Sequence, residues 1–230
     1  DIPVHHYGRL DTDRMDRKGE IYYEIGRRKL EESENDIAAV RELAVQTTIL
    51  ARNQEAVALW RRFLTMSPPP KAAAEAHINL ATLYLRMKAY ENAQNASEEA
   101  LKVQPDMKEA HYNLALSRLH LGRAEAAYDT LNHLVNEHPD YPPAQFVRAA
   151  VCFILGDKER AMGLLEELRN GSFGHILAQS FSELTRDLEA AGHRHYARSL
   201  LEAALENGFL TPGMLSMLGI PQPKETSAVA

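Results

Sequence analysis

"AEAHINLATLYLRMKAYENAQNASEEALKVQPDM" occupies Ala74 to Met107, and the next 34 residues, Lys108 to Tyr141, read "KEAHYNLALSRLHLGRAEAAYDTLNHLVNEHPDY". Both open on an Ala-His-x-Asn-Leu-Ala frame, place an alanine after a turn, and reach a proline, Pro105 or Pro139, at the same offset. Self-similarity at a fixed period marks a stack of like units, not one globule around one centre. Working outward, Ile37 to Pro70 repeats the frame through Leu43, Ala44, Ala56, Trp60, Phe63 and Pro68. The chain from Pro142 repeats it through Ala149, Gly156, Ala161, Leu165 and Leu168. A weaker fifth copy near Ala178 keeps Leu184, Leu188, Gly192, Ala197, Leu201 and Ala204. The register slips at Lys71 to Ala73 and at "RNGSFGHI", and both slips are expected in loops between copies.

Each copy reads as two helices. Leu80, Ala81 and Tyr84 fall on one face at 3.6 residues per turn, as do Ala93, Ser97 and Ala100 in the second helix. Ala81 opposite Ala93 lets two backbones approach closely, with Tyr84 filling the space beside them. The place of Ser97 is bulky in every other copy: Trp60, Leu131, Leu165 and Leu201. Gly122, Gly156 and Gly192 mark the turn, where left-handed angles are needed, and Pro105 and Pro139 stop the second helix.

The 230 residues carry 45% hydrophobic residues, enough for a sizeable core, and a formal net charge of -6 from 26 basic and 32 acidic residues. The charges are mixed along the chain, without the basic stripe that nucleic acid requires, so no nucleic-acid partner is expected. A single cysteine, Cys152, within "RAAVCFILG", excludes an intrachain disulfide and reads as a buried, inert thiol. No window is long and apolar enough for a membrane span and there is no secretory leader, which makes the cytoplasm the default compartment. No cofactor is expected. His77 and His111 share one repeat position and read as packing residues; His193 and His195 read as a chance surface pair, not metal ligands.

Period, turn glycine, paired alanines and terminal proline together resemble the tetratricopeptide repeat family over Ile37 to about Asn207. The resemblance implies an all-α fold, a right-handed superhelix of antiparallel helix pairs (an α-solenoid), with about five repeats over 37–207 starting near 37, 74, 108, 142 and 178. Such arrays need caps. The segment 16–36, with Ile21, Ile25 and Lys29, is expected to cap the N-terminus; 208–230, through "FLTPGMLSMLGI", is expected to give a short closing helix and a disordered tail.

In this family the first helix of each pair lines a concave groove, and the chain is expected to be a protein-interaction scaffold that binds a protein or peptide, or a second copy of itself, there. The groove positions are Asn79, Thr82 and Arg86 in one repeat and Tyr112, Asn113, Leu116 and His120 in the next, followed by Phe146. Asn79 and Asn113 are equivalent, and an amide offers both donor and acceptor to an extended backbone. The arrangement is similar to the asparagine ladder of some peptide-binding members, although Glu42, Val147 and Glu183 hold the other rungs. Solvated groove-wall residues are the alternative. The basic clamp used by members that bind a terminal carboxylate is unmatched.

The opening "DIPVHHYGRLDTDRMDRKGEIYYEIGRRKLEES" resembles the junction in bacterial family 2 glycosyltransferases where a catalytic domain passes into C-terminal repeats. That resemblance implies that 1–15 is an extended leader, the remnant of an upstream catalytic domain, in which His6 would reach the metal. The repeats would then be an acceptor-recognition region, inactive by themselves. An incidental leader is the other reading. Asp11-Thr12-Asp13 spells a metal motif of such enzymes but precedes a helix, where acidic residues stabilise the N-terminus.

Overall fold

A computed structural model describes residues 12–169, 177–211 and 213, with side chains from residue 19 on. The described residues are helical throughout: α1 (Thr12–Glu32), α2 (Ile37–Ile49), α3 (Asn53–Thr65), α4 (Pro70–Arg86), α5 (Tyr90–Val103), α6 (Lys108–His120), α7 (Ala124–Glu137), α8 (Pro142–Ile154), α9 (Lys158–Arg169), α10 (Leu177–Ala190) and α11 (Arg194–Glu206). The first eleven residues with His6, the run 170–176 within "RNGSFGHI", and the tail with most of the expected closing helix lie outside the described residues.

From α2 onward the helices form five helix–turn–helix pairs, and one turn geometry makes all five. The second residue past the first helix takes left-handed angles: Ala51 (φ 55°), Lys88 (59°), Gly122 (75°), Gly156 (86°) and Gly192 (89°). The following N–H then reaches back five residues, as from Arg52 to Thr47 O at 3.1 Å and from Arg123 to Arg118 O at 2.9 Å. Across each turn the small residues meet as the spacing requires. Ala44 and Ala56, Ala81 and Ala93, Ala115 and Ala127, Ala149 and Ala161, and Thr185 and Ala197 are all 0% exposed. Successive pairs stack, with α3 on α4, α5 on α6 and α7 on α8, which gives an α-solenoid.

Two expectations need correction. Lys71 to Ala73 do not form a loop: they lie in the first turn of α4, a 17-residue helix with Pro70 near its start. Three residues are nearly one helical turn, and "KAA" is strongly helix-forming, so the insertion lengthens the helix and leaves the frame intact. The N-terminal helix begins at Thr12, inside the expected extended leader. Its stripe of Ile21 and Ile25 also faces outward, at 60% and 47% exposure. The packed face is Gly19, Tyr23, Gly26 and Leu30, where small residues let α1 approach α2 closely; Tyr23 Oη donates to Glu55 at 2.8 Å.

Buried apolar residues form two clusters, one from Tyr23 to Ala96 and one from Ala115 to Leu210. The last pair departs from the stacking of the others, because α11 packs on α8. Its turn is pinned to an earlier one: His193 Nε2 lies 2.8 Å from His120 O, and Tyr196 Oη donates to Gly122 O at 3.1 Å.

Candidate functional site

This fold-back brings α10 over the face formed by α6 and α8 and leaves between them a half-open cavity of about 170 Å³. Tyr112, Leu116 and His120 from α6 and Phe146 from α8 line it, together with Pro143 and Val147. Ser180, Glu183, Leu184 and Asp187 of α10 complete it. Four of the eight residues expected from sequence thus converge here. Phe146 is buried and meets Phe181 edge-on at 5.1 Å, and Tyr112 meets Tyr141 edge-on at 5.5 Å. Burial pushes the Tyr112 hydroxyl far above its ordinary range, so it stays a neutral donor.

His120 is 7% exposed, and its ring stacks on Tyr90 with centroids 4.7 Å apart. Burial, with His193 and Lys88 nearby, lowers its pKa to about 4, so the imidazole is neutral at neutral pH. Its Nδ1 is buried without a hydrogen-bond partner. On the opposite wall, loss of water raises the Asp187 carboxyl; Lys88 and Arg186 oppose that shift and Glu183 adds to it.

The other four expected residues sit along α4 and the start of the seam with α6. Asn113 is 7% exposed and its amide donates to Thr82 Oγ1 at 3.1 Å, tying α6 to α4. The Asn79 amide donates to Glu75 O within its own helix at 2.9 Å. Arg86 is exposed and reaches Thr48 O at 3.4 Å, at the end of α2. The acidic wall of Glu183 and Asp187 escaped sequence reasoning as a pair. Their i, i+4 spacing puts them on one helical face, but the packing of α11 on α8 decides which face that is.

Other concavities lie among the described residues. One of about 310 Å³, between α1 and α2, is lined by Tyr22, Ile25 and Gln46 among others; one of about 500 Å³, beside the α5–α6 connection, holds His111, His133 and His138. His111 Nε2 lies 2.8 Å from Pro105 O and its ring stacks on His133. Among the described residues no group of three or more His, Cys, Asp or Glu is arranged to hold a metal ion, and no helix is long and apolar enough to cross a membrane. Cys152 is buried, and burial raises its thiol pKa.

The turn geometry, the paired small residues and the 34-residue period are those of one family, and the tetratricopeptide-repeat family model matches residues 84–151. Over that stretch the chain is similar to the tetratricopeptide-repeat family. Several proteins of solved structure share its fold at low identity. YrrB, a TPR protein with an unusual peptide-binding site, is 18% identical with a TM-score of 0.59, over 86% of this chain and 100% of YrrB. A tetratricopeptide repeat protein from Parabacteroides merdae is 19% identical with a TM-score of 0.61, over 90% of this chain and 78% of that one. PilF of Pseudomonas aeruginosa is 18% identical with a TM-score of 0.57, over 90% and 96%. No curated protein matches the chain in sequence.

Proposed function

We propose that this tetratricopeptide-repeat chain is a protein-interaction module that binds a short segment of a partner protein in the groove between α6, α8 and α10, with no chemistry of its own. The observation that carries this reading is the cavity itself, which joins apolar and aromatic side chains of two repeats to an acidic wall from a third helix. Apolar walls supply affinity and the few polar groups fix orientation. YrrB, a chain of similar fold with an unusual peptide-binding site, supports a peptide ligand here. In this reading Thr82, Arg86 and Asn113 hold α4 against its neighbours at the groove's edge, Asn79 turns back onto its own helix, and none of the four grips the segment.

The test is a single change on the groove floor. Thr82 occupies the repeat position of Leu116, so a polar residue is compatible with the helix there. Leu116→Glu should weaken binding of a segment selected from an unbiased peptide display by about tenfold or more, with an unchanged melting temperature. Unaltered affinity refutes the assignment.

A second reading, self-association, is favoured by one observation: α1 exposes Ile21, Tyr22 and Ile25 at 60%, 48% and 47%. Sedimentation over a wide concentration range, with Ile25→Glu as the control, decides it. A monomer at every concentration removes this reading.

A further inference from the structure

We propose that the groove reads arginine: the cavity takes an arginine side chain of the bound segment, its stem against Tyr112, Leu116 and Phe146 and its guanidinium shared by Glu183, Asp187 and the buried, unpaired Nδ1 of His120. This rests on the groove being the partner site. Three features of the cavity point the same way. Its volume of about 170 Å³ suits one side chain and is too small for a helix. Its floor is apolar while its charged wall is acidic, which suits a ligand with a hydrocarbon stem and a cationic head. The third feature is independent of the acids. Native proteins rarely leave a nine-tenths buried polar atom unpaired, and His120 Nδ1 is one, on a ring held in place by Tyr90.

The neighbouring charges leave the acceptors available. Asp187 makes no ion pair among the described residues, and Lys88 and Arg186 act on it only from a distance. Glu183 accepts from Gln179 Nε2 at 2.7 Å through one oxygen and keeps the other. A neutral imidazole protonated at Nε2 presents a lone pair at Nδ1, and in that form Nε2 donates. Arginine fits three dispersed acceptors better than lysine does. Its planar fork carries five donors, it sheds water more readily, and it lies flat on aromatic faces such as Phe146. An anionic ligand meets two carboxylates, and a purely apolar one leaves Nδ1 unpaired.

The experiment follows the imidazole nitrogens of the 15N-histidine-labelled chain, with His120 assigned by the signal lost in His120→Gln. Acetyl-Ala-Arg-Ala-amide is titrated against its lysine and citrulline counterparts. The arginine peptide should shift His120 Nδ1 saturably from the resonance of an unprotonated nitrogen. The lysine peptide should bind about fivefold more weakly, and Asp187→Asn should cost about tenfold at an unchanged melting temperature. Equal binding of the citrulline peptide, an Nδ1 that already carries the proton, or a silent His120 overturns the arginine assignment. An unbiased peptide panel separates the two levels. Arginine-free segments whose binding is lost in Leu116→Glu leave the groove standing and arginine refuted; a panel in which nothing perturbs α6, α8 or α10 refutes both.

Discussion

The halves of this solenoid, α1–α5 and α6–α11, are built from one unit and filled differently. In the first, the bulky position of the first pair is Trp60, 1% exposed, with Phe63 edge-on at 5.9 Å and its indole N–H on Thr48 Oγ1 at 3.0 Å. In the second, leucines fill that position: Leu131 and Leu165 at 0% and Leu201 at 5%. Between them sits Ser97, fully buried, its hydroxyl turned back onto Ala93 O. The apolar core divides at that point. Across the divide polar contacts take over: Asn113 to Thr82, Arg123 to Gln94 at 2.9 Å, and Arg118 to Glu98 at 3.7 Å. At this small position two apolar clusters meet through hydrogen bonds, small buried residues such as Ala100 and Ala110, and the stack of Tyr90 on His120. The halves differ again in their turns, where the first uses Ala51 and Lys88 and the second uses glycine throughout.

The most forceful way to break this comparison is Trp60→Ala, expected to cost about 3–5 kcal/mol in chemical denaturation. Because stability in repeat arrays is a sum of local terms, hydrogen-exchange protection should fall in α2–α4 and persist in α8 and α9. Equal loss in both would erase the boundary at Ser97.

Acid should act on the other half. His120 has a folded pKa of about 4, below the usual 6.5 of the unfolded chain, so between those values the unfolded state holds more protons and stability falls as pH falls. The loss should be on the order of 3 kcal/mol by about pH 4, and level off below it. His77 and His111, lowered chiefly by burial, act in the same direction, so the quantity to measure is the difference in pH dependence between the parent and His120→Gln. A difference that does not vary with pH counts against the neutral, buried imidazole.

Gly122→Ala probes the fold-back. The φ of 75° disfavours a side chain, and a Cβ there would lie 2.7 Å from His193 Cε1. A cost of about 2 kcal/mol is expected, with exchange rising first in α10 and α11. Ala51→Gly should give the smallest effect, a gain of about 1 kcal/mol, by relieving a non-glycine residue at φ 55°. A loss in thermal melting would show that Ala51 contributes packing beyond its backbone angles.

Much of this architecture is legible in the sequence because small residues recur at strict offsets. Ala81 with Ala93 and Ala115 with Ala127 fix where two helices touch, and the turn glycines fix where they reverse. The groove residues Tyr112, Leu116, His120 and Phe146 follow from the same frame, since each repeat presents the same face. Lys71 to Ala73 misled because an insertion of nearly one turn is absorbed by a helix as readily as by a loop. Ile21 and Ile25 misled because close approach through Gly19 and Gly26 decides the packed face of α1, and burying a larger stripe does not. Asp187 stayed hidden for a further reason: its place over the groove depends on contacts 73 and 74 residues apart, from His193 to His120 and from Tyr196 to Gly122, which no local pattern encodes.

The proposed partner segment sits where α10 folds over α6 and α8. Hydrogen–deuterium exchange with and without a display-selected segment tests it most directly. A segment bound there should add protection in α6, α8 and α10 and none in α2 or α3. Protection confined to α1–α4, or absent from α10, would contradict it.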